Sequence, residues 1–370
     1  MGTVLSLDGS VFHGTPVHGL PLPPPTPGRR APTFNGNGQY VLPPPPGETK
    51  RSFTRASTVA KTLEDTYMLD AWARRMILLG VQASPDLLTD LDDLVLSALA
   101  AGTDPTRLPA ELRNPLNRMA EEAHHRAGGT RAAEFGTATH AWCEWVDLGL
   151  GHVLDVPEMF RPWVLAHRRL LAENGLTPDP DWCERTVLHS RYGVAGTLDR
   201  VLVADDGRVF LGDIKTSKGM EYSWLYFAIQ LAIYHGADYV LSLDGRAWEP
   251  KPALDPDTAL IIHLPSTDAE ASRVVPIDMG FGRDALDVAM EVRRLHRVAE
   301  GSAKPVRYTV GSITSETARR YEARLRLETC RTEAEMADVW QQYQDVWTDA
   351  LTDFGMRILR VSAPRESESA

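Results

Sequence analysis

An α/β fold, with a mixed central sheet flanked by helices, a helical region ahead of it and a helical tail behind it, is what the sequence predicts. Three observations lead there. Residues 183–264 alternate between strand-like and helix-like patterns, residues 57–150 and 283–360 carry apolar side chains at helical spacing, and no internal repeat interrupts that order. With 43% apolar and 24% charged side chains, the 370 residues suffice for one core with large additions or for about two to three domains. The longest apolar runs, such as the one ending at Ala101, fall short of the roughly 18 residues of a spanning helix. The first ten residues lack a basic start and place Asp8 in their only apolar stretch. Neither a membrane span nor a secretory signal is therefore expected, and the chain is assigned to the cytoplasm.

Taken in order, residues 1–52 hold two proline runs around a Gly/Asn-rich stretch at 34–40. Proline removes backbone donors and favours polyproline II, so this arm is expected to be extended or disordered. Residues 53–130 form a helical region, with helices expected over 57–80, 85–101 and 112–126, the last stopped by Gly128 and Gly129. The core spans 131–300. It begins with an amphipathic helix over 132–150, followed by strands over 183–190, 194–204 and 209–215, a helix over 223–239 and a buried strand over 258–264. A further strand at 274–277 and a helix over 283–300 close it. Residues 301–370 are a helical extension in which Trp340, Trp347 and Phe354 recur every seven residues, as they would to pack on the core or on another subunit.

The richest segment is 193–218. Asp205, Asp206 and Gly207 form a turn between two strand patterns, and Gly207 can supply the left-handed residue of a three-residue loop. Pairing Ala204 with Arg208 then sets Asp199 opposite Asp213, their Cβ atoms about 5 Å apart on one face. A two-residue loop would put them on opposite faces. Val209, Leu211, Asp213 and Lys215 point the same way along the second strand, so an apolar face ends in an acid and a lysine. Two close, partly buried carboxylates repel, and one takes up a proton unless a cation sits between them. Mg²⁺ or Mn²⁺ meets that need, and Lys215 could stabilise negative charge developing on a phosphate. The plainer reading is a strand-end ion pair between Asp199 and Arg200, with Lys215 solvated.

The arrangement resembles the PD-(D/E)XK nuclease superfamily, in particular its RecB-like exonuclease branch, which includes the CRISPR-associated adaptation nucleases and many phage exonucleases. Four short motifs stand in that branch's order: Gly136 to His140 as G-x-x-x-H, Gly196 to Asp199 as G-x-x-D, Asp213-Ile214-Lys215 as D-x-K, and Gln230 to Tyr234 as Q-x-x-x-Y. The resemblance covers about 132–264 and implies a restriction-endonuclease-like core and a metal-dependent deoxyribonuclease. It further implies that Asp199, Asp213, His140 and the main-chain carbonyl of Ile214 ligate the metal, that Lys215 is the catalytic lysine, and that Gln230 and Tyr234 orient it or contact DNA. Read from the residues alone, His140 is equally a packed helix histidine and Tyr234 a half-buried boundary residue. Glu184 matches an acidic position common in the branch, although a surface Glu beside Arg185 reads the same way.

The departures are as informative. Three scattered cysteines, Cys143, Cys183 and Cys330, cannot hold the four-cysteine iron–sulfur cluster of the adaptation nucleases, so none is expected, and buried small apolar residues are the better description. None of the six lysines lies in a G-x-x-x-x-G-K-[ST] loop, so any unwinding would come from a separate helicase or recombination protein. The net charge of −11 argues against a broadly nucleic-acid-binding surface but not against a local basic cleft for DNA ends. Arg161, His167, Arg168 and Arg169 are one candidate patch, with a solvated helix face as the plainer reading. Arg319, Arg320, Arg324 and Arg326 are expected to make helix-surface ion pairs. The excess of Arg over Lys fits a GC-rich genome, and the family points to phage or bacterial DNA replication, recombination or repair. An exonuclease acting on DNA ends is the leading expectation, with a structure-selective endonuclease and a non-catalytic DNA-binding member as alternatives.

Overall fold

The computed structural model describes residues 19–100, 102–103, 107–302 and 316–362. Two compact units divide at Arg297 and Val298. The first is mixed α/β. It opens with three short strands, β1 (Thr33–Phe34), β2 (Tyr40–Val41) and β3 (Ser52–Arg55), then the helices α1 (Ala56–Ala60), α2 (Tyr67–Gln82), α3 (Pro85–Ala100), α4 (Ala110–Arg126), α5 (Arg131–Asp147) and α6 (Arg161–Glu173). Strands β4 (Leu176–Pro178), β5 (Arg185–His189), β6 (Val194–Leu198), β7 (Arg200–Ala204) and β8 (Val209–Lys215) lead to α7 (Trp224–His235). After these come β9 (Tyr239–Leu241), β10 (Trp248–Pro250), β11 (Thr258–His263), β12 (Arg273–Asp278) and α8 (Met279–Ser302), whose last residues fall in the second unit.

The strands make two mixed sheets, ordered β1-β2-β3-β6-β5-β9-β10 and β12-β11-β8-β7-β4. One continuous strand was expected over 194–204. Instead it breaks at Asp199, β6 pairing with β5 in the first sheet and β7 with β8 in the second. The β7–β8 hairpin has the register the three-residue loop requires, Val203 facing Val209 and Arg200 facing Gly212. Gly207 closes the loop at φ +85°, with its N–H on Ala204 O. Both faces of the second sheet are covered, so β7 and β8 alternate between two cores. Val201 and Leu211 pack with α7 and the start of α8, whereas Leu202, Phe210 and Ile214 pack with α5 and α6. Helix α7 is buried continuously from Tyr226 to Tyr234, which is why its sequence is apolar on every side.

The helix expected over 57–80 is interrupted: a 3₁₀ turn at Lys61–Leu63 separates α1 from α2. Residues 19–52 are extended and held to the first unit by backbone and indole contacts, Trp142 Nε1 donating to Pro21 O (3.0 Å) and Trp248 Nε1 to Pro43 O (3.2 Å). Proline lacks a donor but keeps a strong acceptor, and the tryptophans use it. Residues 1–18 of the arm lie outside the described residues. The second unit holds α9 (Glu316–Glu328), α10 (Glu333–Gln342) and α11 (Asp349–Ser362) around Ala323, Leu327, Tyr343, Val346 and Leu351. Trp347 and Phe354 pack on that small core, while Trp340 stays half exposed. Among the described residues, no helix is long and apolar enough to cross a membrane.

Candidate active site

Asp199 stands where the chain leaves one sheet for the other, and the predicted residues gather around that break. Two motif glycines allow the approach. A Cβ at Gly136 on α5 would sit 2.4 Å from Thr216 Oγ1, just beyond β8, and one at Gly196 would sit 2.4 Å from Tyr234 Cε1 on α7. A side chain at either position would force its neighbour to move, the Thr216 hydroxyl in one case and the buried Tyr234 ring in the other.

His140, on α5, brings Nδ1 to 3.4 Å from Asp199 Oδ2. The same oxygen accepts the backbone N–H of Ile214 at 2.8 Å. Asp213 Oδ2 lies 2.6 Å from Lys215 Nζ, which donates to Gln230 Oε1 at 3.0 Å; Gln230 Nε2 in turn donates to Tyr234 OH at 3.0 Å. Gln230 and Tyr234, one turn apart on α7, thus form a relay ending on the lysine. Both are buried, so Tyr234 is not a half-exposed boundary residue. The Phe227 ring lies 5.2 Å from Lys215 Nζ.

Glu184 is the residue least legible beforehand. It is buried rather than a surface partner of Arg185, and its donor atom lies within 4.8 Å of those of His140 and Asp199. Asp213, expected to share a metal with Asp199, is outside that group of three and engages Lys215 instead. Glu184 is also the one non-glycine residue with positive φ (49°) among the described residues. Ile214 contributes its N–H to the site.

The plainer reading of the pair, a strand-end ion pair between Asp199 and Arg200, is not what forms. Neighbouring side chains on a strand face opposite ways, and the fully buried Arg200 reaches Asp147 Oδ2 with Nε (2.7 Å) and Glu184 Oε1 with Nη1 (3.2 Å). Asp147 also receives His167 Nε2 at 3.0 Å. His167 is thus wholly buried and drops out of the basic patch considered on α6, where Arg169 pairs with Glu270. Arg319 and Arg320 do make surface pairs, with Asp345 and Glu316. The three cysteines are buried and free.

The electrostatics separate these groups. Burial, then the charge of Glu184, raises Asp199 to about 6; burial, then Asp199, raises Asp213 to about 6 against the pull of Lys215. Burial pushes His140 down to about 4, leaving it neutral and able to ligate. Asp147 goes the other way, since His167 and Arg200 outweigh the cost of its burial. The crowded, under-compensated carboxylates suit a hard divalent cation and the neutral imidazole a softer one, so the residues present fit Mg²⁺ or Mn²⁺ through their carboxylates, with His140 favouring Mn²⁺ of the two. The rim is open: the His140, Lys215 and Asp199 side chains keep 24%, 19% and 14% exposure and are reached by solvent. No known family model matches the chain, and no curated protein matches it.

Proposed function

We propose that this chain is a metal-dependent DNA exonuclease that hydrolyses phosphodiester bonds at DNA ends, built on a PD-(D/E)XK-type core. The observation that carries the reading is the pairing of a His140–Glu184–Asp199 donor group with an adjacent Asp213–Lys215–Gln230–Tyr234 chain at one strand break. His140, Glu184 and Asp199 would hold the cation, with Asp213 beside them. When bound, such an ion polarises the phosphate and lowers the pKa of water. Lys215 would place its ammonium against the charge that grows on the phosphate oxygens, a role that demands a fixed position. Asp213 and Gln230 fix it, and Tyr234 holds Gln230 in register. The N–H of Ile214 keeps the Asp199 carboxylate aimed at His140.

The test is degradation of end-labelled linear and covalently closed circular DNA, single- and double-stranded, with Mg²⁺ or Mn²⁺, beside EDTA and Lys215→Ala controls. Loss of linear DNA alone is expected. Cleavage of circles would replace the exonuclease with a structure-selective endonuclease. Binding without cleavage would leave a non-catalytic DNA-binding protein, and activity that survives EDTA would sink the mechanism.

A further inference from the structure

Glu184 sits at the head of β5 in a left-handed conformation that residues other than glycine and asparagine adopt reluctantly, so something must hold it there. Its N–H donates to Asp199 O at 2.9 Å, and Arg200 Nη1 takes its Oε1. The residue before it, Cys183, is gripped from another direction. Arg29 crosses from the proline-rich arm, donates Nη2 to Cys183 O at 2.8 Å and pairs through Nη1 with Glu144. Glu144 lies one turn beyond His140 on α5, and Thr26 Oγ1 donates to the same Glu144 oxygen at 3.3 Å. One arginine of the arm therefore ties the backbone entering Glu184 to the helix that carries His140.

We infer that the arm is part of the metal centre: Arg29 is a positioning residue that, together with Arg200, locks Cys183 and Glu184 in the conformation that turns the Glu184 carboxylate toward His140 and Asp199. This rests on the reading that those three side chains hold a divalent cation. Without Arg29, the Cys183–Glu184 link can relax to an ordinary backbone conformation, and the carboxylate leaves its two partners. Outer groups that orient metal ligands typically affect affinity by about 10- to 100-fold, and Arg29 belongs to that class.

The experiment is Mn²⁺ binding by titration calorimetry on the full chain, without DNA, for the wild type, Arg29→Gln, Glu184→Gln and the double variant, with each melting temperature recorded in EDTA. Arg29→Gln is expected to weaken Mn²⁺ binding about tenfold or more in the wild-type background and to change nothing in the Glu184→Gln background, because it acts through that residue. Equal weakening in both backgrounds, or none in either, overturns the inference. Should Arg29→Gln lose its cooperative melt, Arg29→Lys serves instead: lysine keeps the charge facing Glu144 but has no fork to hold Glu144 and Cys183 O with separate nitrogens, so weakened binding is again expected only when Glu184 is present. If the wild type binds no Mn²⁺, the proposed function falls together with this inference. If it binds and the Arg29 variants bind equally well, the inference alone falls.

Discussion

Two clusters of buried charge meet at Arg200, and they are built on opposite principles. In one, Asp147 is closed on itself. Arg200 and His167 both reach its Oδ2, all three side chains are at most 4% exposed, and its carboxyl is held below the ordinary range. In the other, Asp213 is 3% exposed and Asp199 14%, and both rise to about 6, because burial disfavours their charge, Glu184 raises Asp199, Asp199 raises Asp213, and Lys215 compensates only in part. In the first cluster the carboxylate meets a guanidinium and an imidazole of the same fold. The second leaves negative charge in surplus, and that is the feature on which the proposed cation site rests. Arg200 joins the two by holding Asp147 with one nitrogen and Glu184 with another.

The contrast can be broken by substitution, and the largest effect is expected on chemistry. Lys215→Ala should cut the hydrolysis of end-labelled DNA by about 10²–10³-fold while leaving Mn²⁺ binding in place, since the lysine faces the substrate's charge rather than the metal. Hydrolysis at the wild-type rate would remove Lys215 from the mechanism. Next, Arg200→Met should cost about 3–5 kcal/mol of stability in urea unfolding, because it strands the buried Asp147 and Glu184 carboxylates. A loss below about 1 kcal/mol would mean that the Asp147 cluster is not closed by Arg200.

Asp199→Asn should do the reverse. The folded protein raises Asp199 from 3.8 to about 6. Its contribution to stability is therefore fully present below about pH 4 and is lost as pH rises through 6. In EDTA at pH 8 the variant should be more stable than the wild type by about 1–3 kcal/mol, and at pH 4 the two should melt alike. A variant that is less stable at pH 8 would show that the surplus charge is compensated after all. The smallest effect is on binding: Mn²⁺ affinity should fall by up to about tenfold per unit as pH drops below 6, where a proton occupies Asp199. Affinity that is flat between pH 5 and 7 would place the cation elsewhere.

Much of the site was legible because it depends on short-range rules. A three-residue loop and a side-chain period of two are enough to set the β7–β8 register, and an i,i+4 spacing places Gln230 and Tyr234 on one face of α7. Glu184 was ambiguous because a Glu beside an Arg reads as surface. Its left-handed backbone and its burial go with contacts to Asp199 O and to Arg200, 16 positions away, and no local pattern encodes those partners. The arm was legible in part for a similar reason: a proline run predicts an extended chain but not whether indoles elsewhere will use its carbonyls.

By itself, then, the sequence determined the α/β class, the hairpin that brings Asp199 near Asp213, the lysine beyond it and the relay helix, since each follows from residues within a few positions of one another. Only the tertiary structure decided that the strand breaks between two sheets at Asp199, that Arg200 turns from Asp199 to Asp147, 53 positions away, and that Arg29 reaches Cys183 across 154. Those choices are made by which buried charges can find partners once the layers close, and chain neighbours carry no record of it.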